Sequence, residues 1–211
     1  MKLTKYSHAC FIVEKAGQAI VVDPGAWSTD FVIPENVIGV VTTHEHADHC
    51  DIKQLSDIVA KNPQAAIYAH PNVLAHLPGL PTHPVSVGKT LRVGDIALEF
   101  VGGEHAVIHE SIPRIANLGV IIDDLIYYPG DSFTLPGKAI PTIAIPASAP
   151  WMKIAEAMDF LVATKAARFF PTHDAILSET GKNLVDTLLG NIAQNTNATY
   201  ERIASGESIE L

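Results

Sequence analysis

Residues 38–49 read Ile38-Gly39-Val40-Val41-Thr42-Thr43-His44-Glu45-His46-Ala47-Asp48-His49. The first half, Ile38–Thr42, is apolar and β-branched, the pattern of a strand buried on both faces. The second half follows without a break. It places four ligand-type side chains, His44, His46, Asp48 and His49, within six residues. In extended chain, side chains at i and i+2 share a face, so His44 and His46 can reach one metal ion. Asp48 and His49 sit in the turn beyond and can face a second. Imidazoles with a carboxylate suit zinc, with manganese and iron as alternatives.

The same punctuation recurs along the chain. Val21-Val22 runs into Asp23-Pro24-Gly25, and Ile96–Val101 runs into Gly102-Gly103-Glu104-His105. Leu125–Tyr128 runs into Pro129-Gly130-Asp131, and Arg168–Phe170 into Pro171-Thr172-His173. Loops that leave strand ends on a rigid scaffold are where chemistry is usually carried.

Further strands are expected at Lys2–Ser7, Ala9–Glu14, Gln18–Val22, Ala65–Ala69, Thr142–Ile145 and Thr199–Ile203. Hairpins are expected to turn at Gly94-Asp95 and at Asp123-Asp124. Helices are expected over Asp51–Lys61, Pro71–Leu77, Trp151–Ala166 and Glu179–Gln194. Asp51 and Gln54 are spaced as a capping box, with Ile52, Leu55, Ile58 and Val59 on one face. In the third helix Ile154, Met158, Leu161 and Val162 are expected to point inward. Strand-rich halves carrying helices predict two sheets packed face to face with helices outside.

Composition narrows the function. The chain has 211 residues, 47% of them hydrophobic, with no linker or repeat, so a single domain over 1–211 is expected. A net charge of −9 argues against a nucleic-acid partner. The two cysteines, Cys10 and Cys50, make no disulfide framework. They fit a reducing, cytoplasmic setting. The start, MKLTKYSHAC, lacks the apolar stretch of a secretory signal, and no apolar run is long enough to span a bilayer.

The ordered set H-x-H-x-D-H at His44–His49, then a lone histidine, Gly-Asp and a last histidine resembles the metallo-β-lactamase superfamily. The resemblance runs from Asp23 to His173. It implies a four-layer αββα sandwich of two mixed sheets with the site at one edge. It also implies that His44, His46 and His105 hold one metal, that Asp48, His49 and His173 hold the other, and that Asp131 bridges them. Asp23 is then implied to orient the ligand loop. Tyr6-Ser7-His8-Ala9 ahead of a strand is similar to the start of the branch containing L-ascorbate-6-phosphate lactonase and N-acylphosphatidylethanolamine phospholipase D. Ser7 stands where that branch has glycine, and Cys50-Asp51 stands where many members have x-Gly.

Other residues carry weaker signals. His109 competes with His105 and is expected beside the substrate. His8 is divided between a structural and a functional role. Cys50 is expected to pack at a helix start and Cys10 in a strand core. His70, His76 and His83 fall in a proline-rich stretch expected to be surface loop. Trp151 and Lys153, after Pro150, are expected to wall the substrate, Lys153 as a cation for an anionic group and Arg114 as second choice.

The expected chemistry is hydrolysis of an ester, lactone or phosphoester of a small anionic metabolite, by water activated between two divalent ions, with Asp48 orienting it. No G-x-S-x-G elbow offers a serine nucleophile. The competing readings are a nuclease for short nucleic acid and a non-catalytic binding module. A homo-oligomer is compatible with either class.

Overall fold

The computed structural model describes residues 1–211. The first sheet is built from β1 (Lys2–Lys5), β2 (Phe11–Lys15), β3 (Gln18–Val22), β4 (Val37–Val41), β5 (Ala66–Ala69) and β6 (Thr82–Pro84). The second is built from β7 (Thr90–Val93), β8 (Ile96–Glu104), β9 (Ala116–Ile122), β10 (Ile126–Tyr128), β11 (Thr142–Pro146), β12 (Arg168–Thr172) and β13 (Thr199–Tyr200). A last strand, β14 (Ser208–Glu210), returns to the first sheet and pairs with β1. The orders are β14-β1-β2-β3-β4-β5-β6 and β13-β12-β11-β10-β9-β8-β7. Each sheet is antiparallel on one side and parallel on the other, changing at β3 in the first and at β10 in the second. Parallel neighbours need crossover connections, and helices lie in those after β4, β5, β11 and β12. Those helices are α1 (Ile52–Lys61), α2 (Pro71–Leu74), α3 (Ile154–Thr164) and α4 (Glu179–Thr196).

Alternation along each strand feeds separate cores. Phe11, Val13, Ile20, Val22 and Val41 meet Leu98, Phe100, Val120, Ile126, Tyr128 and Phe170 between the sheets. Their neighbours Ile12, Val21, Val40 and Ile67 face outward onto Leu55 and Ile58 of α1. On the far side Ile121, Tyr127, Ile143, Ile145 and Phe169 pack against Ala157, Phe160, Leu161, Val185 and Leu189 of α3 and α4. Strands covered on both faces explain the near-continuous apolar runs. The result is the expected αββα sandwich.

Several local expectations need correction. Asp51 caps α1 by accepting from Gln54 N–H at 2.7 Å, but the Gln54 side chain donates to Gly25 O, also at 2.7 Å, so the box is half formed. Ile52 and Val162, expected on buried faces, are 49% and 48% exposed. The helix expected from Trp151 begins only at Ile154. Thr82–Pro84, expected as loop, adds an edge strand, a position where a missing proline N–H is tolerated. The strand expected to end at Ile203 stops at Tyr200, and β14 has no counterpart among the expected strands. Its three residues are too short to show a period.

Candidate metal centre

The parallel ends of both sheets open toward the same edge. Asp23 follows β3, Thr43–His49 follows β4, His105 follows β8, Asp131 follows β10 and His173 follows β12. Two groups of ligand-type atoms gather there, His44-His46-His105-Asp131 and His8-Asp48-His49-His173. Within each group the ligand atoms lie within 4.8 Å of one another.

Asp131 stands against both groups. Its Oδ1 is 3.3 Å from His49 Nε2, and its Oδ2 is 3.3 Å from His105 Nε2 and 3.1 Å from His173 Nε2. Asp48 Oδ2 lies 3.4 Å from His173 Nε2 and 3.7 Å from His49 Nε2. The backbone that delivers Asp131 is specific. Gly130 has φ 63°, and a Cβ there would fall 2.3 Å from Asn117 Oδ1, the atom that accepts from Asp131 N–H at 3.0 Å. Gly25 is likewise pressed on the ligand loop, where a Cβ would lie 1.8 Å from Asp48 O.

Four imidazoles are held by their Nδ1 side. Asp23 accepts from Thr43 N–H at 2.8 Å, from Thr43 Oγ1 at 2.6 Å and from His49 Nδ1 at 2.7 Å. The Thr43 hydroxyl proton is thereby used, so at 3.0 Å its oxygen accepts from His44 Nδ1. His105 Nδ1 donates to Ala106 O and His173 Nδ1 to Ser148 O, each at 2.6 Å. This leaves the Nε2 atoms of His44, His49, His105 and His173 as bare acceptors. All four are buried without a hydrogen-bond partner, as is Asp131 Oδ1. Buried polar atoms without partners are costly. Five gathered at one sheet edge are donors suited to divalent cations, and partners that fix a ligand imidazole through its other nitrogen are the usual support for one. The residues therefore fit a metal centre.

Electrostatics agree. Burial alone would lower the His49 and His173 values, yet Asp131 with Asp23 holds His49 well above the ordinary histidine range. Asp131 and Asp48 lift His173 to about 9. Burial would raise both carboxyls, but the surrounding imidazoles hold Asp48 and Asp131 below the usual carboxylate range. His44 is pushed well down by burial and by neighbouring His49.

Over the cluster lies a cavity of about 310 Å³ lined by Trp27, His46, Asp48, His105, Ile108, Asp131, Pro150, Trp151, His173 and Ile176. No lysine or arginine is among these residues. Trp151 Nε1 donates to Asp131 Oδ2 at 2.8 Å. The structure does not bring Lys153 or His109 here. Lys153 caps α3, exposed, with its N–H donating to Glu156 at 2.6 Å. His109 is exposed, and its Nδ1 lies 2.8 Å from Ser111 Oγ. Arg114 pairs with Glu104 outside the cavity. Sequence reasoning passed over Trp27, Ile108, Ile176 and Asn117. Only Asn117 carried a signal, as a polar residue in the apolar run of β9.

A family model for the β-lactamase superfamily domain matches residues 2–173. Protein Rv0786c of Mycobacterium tuberculosis is 35% identical, over 95% of each chain. A UPF0173 metal-dependent hydrolase of Dinoroseobacter shibae is 27% identical, over 90% of this chain and 94% of its own. Among solved structures, the metallo hydrolase Igni18 of Ignicoccus hospitalis superposes with a TM-score of 0.76 at 20% identity, covering 100% of this chain and 98% of that one. A likeness at that identity speaks to the fold. The sheets, the edge cluster and the family match agree: the chain belongs to the β-lactamase superfamily domain family.

Proposed function

We propose that this chain is a metal-dependent hydrolase that uses two divalent cations, zinc in the first place and manganese or iron as alternatives. The observation that carries the reading is the set of five buried, partnerless acceptor atoms at the sheet edge. His44, His46 and His105 would hold one ion, and Asp48, His49 and His173 the other, with Asp131 between them. Bound there, such ions supply an activated water and a Lewis acid for a carbonyl or phosphoryl oxygen.

The protein's own groups do the rest. Asp23 and Thr43 fix the ligand loop. Trp151 anchors Asp131. Trp27, Trp151, Ile108 and Ile176 form an apolar wall on which the non-reacting part of a small ester, lactone or phosphoester can rest. No lysine or arginine belongs to that wall, while Arg114 lines an adjoining cleft with His46, His105 and Ile108. The test is hydrolysis of p-nitrophenyl esters, lactones and bis-p-nitrophenyl phosphate by zinc-loaded protein. Turnover should vanish on chelation and return with zinc. Turnover that survives complete metal removal contradicts the reading.

A further inference from the structure

His8 sits in the turn between β1 and β2 with φ 60°, a left-handed conformation that His173 shares at φ 57° and that is rare for a residue with a side chain and concentrated at functional sites. The turn is held from several directions. Lys5, only 4% exposed, donates its ammonium to Tyr6 O and, at 2.6 Å, to His8 O. His173 N–H reaches the same His8 carbonyl at 3.2 Å. Ser28 Oγ donates to Ser7 O at 2.8 Å, and Asp30 accepts from Ser7 N–H at 3.2 Å and Ser7 Oγ at 2.7 Å. So much restraint on one turn indicates that the orientation of the His8 ring matters.

The two nitrogens of that ring have distinct partners. Nδ1 accepts from the backbone N–H of Ala175 at 3.3 Å. A backbone amide can only donate, so Nδ1 carries the lone pair and the neutral ring carries its proton on Nε2. Nε2 lies 3.0 Å from Asp48 Oδ2. In His44, His49, His105 and His173 the pattern is reversed, with Nδ1 donating and Nε2 bare. Unlike those four, His8 has no lone pair directed at the cluster. Trp27 packs edge-on against its ring, centroids 4.8 Å apart.

We propose that His8 is a positioning residue and not a metal ligand: its Nε2–H donates to Asp48 Oδ2 and fixes that carboxylate beside His49 and His173. The proposal rests on reading Asp48 as a ligand of the second ion. It also gives the buried Lys5 a purpose, since Lys5 anchors the carbonyls on either side of the turn that aims His8.

The direct test is long-range proton–nitrogen correlation NMR on protein labelled with ¹⁵N-histidine, with His8 assigned from the spectrum of His8→Gln. In metal-free protein His8 should show the Nε2–H tautomer. Adding zinc should convert Nε2 of His44, His49, His105 and His173 to metal-bound nitrogen while His8 keeps its Nε2 proton. A metal-bound Nε2 at His8, or the Nδ1–H tautomer, overturns the proposal. Zinc that perturbs no histidine overturns the metal-centre reading itself, and the proposal with it, whatever the His8 tautomer.

A second arm measures zinc affinity by chelator competition. His8→Leu should weaken one of the two sites, the one that contains Asp48, roughly 10–100-fold, the range for losing a group that orients a ligand. His8→Gln places an amide donor near the Nε2 position and should stay within about threefold of wild type. The other site, unchanged in both variants, shows that the fold is intact. Equal losses in both variants, or none in His8→Leu, overturn the proposal.

Discussion

The indole Nε1 of Trp151 donates a 2.8 Å hydrogen bond to Oδ2 of Asp131, the carboxylate that touches both ligand groups. One residue thus walls the cavity and sets the orientation of the group between the two candidate metal positions. Hydrogen bonds to charged groups contribute about 1.5–3 kcal/mol. Trp151→Phe keeps a ring and removes the donor. It should weaken zinc binding about tenfold, read by chelator competition. Unchanged zinc affinity would separate the indole from the centre.

The apolar wall makes a claim about substrate. Trp27 is 44% and Ile176 53% exposed, although both are large and apolar. Trp27→Ala should raise KM for esters with apolar acyl groups about tenfold and leave that for short acetates nearly unchanged. Lys153→Met should alter KM for neither ester nor phosphoester, because Lys153 is exposed at the start of α3. A selective rise in KM for phosphoesters in Lys153→Met would restore the anion-binding role expected from sequence.

Stability should depend on pH in opposite ways with and without metal. The folded value of His173 is about 9, against an ordinary 6.5. A raised value means stability that is fully present below pH 6.5 and lost as pH rises toward 9. The loss is at most about 3.5 kcal/mol, at roughly 1.4 kcal/mol per unit, and raised His49 acts in the same direction. Lys5 acts in reverse. Burial lowers it to about 8 from 10.5, so its penalty is relieved above pH 8. The window from 6.5 to 8 therefore isolates the cluster. Urea unfolding of metal-free protein should show stability falling across it. With zinc bound the slope should vanish or reverse, because metal displaces those protons. A flat profile for the metal-free protein would contradict the ion-pair arrangement.

Gly130 gives a test that needs no metal. At φ 63° a side chain is strained, and its Cβ would collide with Asn117 Oδ1 and lie 2.9 Å from Thr43 Cβ. Gly130→Ala should cost about 2 kcal/mol or more, lowering Tm by roughly 4–8 °C for a chain this size. Gly137 also has positive φ, 76°, but a Cβ there would meet nothing within 4 Å. Gly137→Ala should cost about 1 kcal/mol. Equal losses would mean that the crowding at Gly130 is not felt.

What could be read from sequence follows from how locally each feature is encoded. The apolar runs ending in His44, His105, Asp131 and His173 exposed both the strands and the ligand-type residues, because strand, turn and polar side chain are adjacent in the chain. The hairpins were legible for the same reason: Asp123 and Asp124 both take positive φ, 51° and 56°, as a tight turn demands. The edge strands β6 and β14 were not, since three residues without alternation are stabilised only by their neighbours. The contacts Trp151–Asp131 and His8–Asp48 span 20 and 40 residues. Neither has a spacing rule. Lys153 and His109 were singled out by residue type beside the right loops, and both are exposed.

Whether the edge cluster holds two ions is measured directly by elemental analysis of purified protein after zinc reconstitution. Two zinc ions per chain are expected in the wild type. A protein that takes up no transition metal even on reconstitution would contradict the two-ion centre.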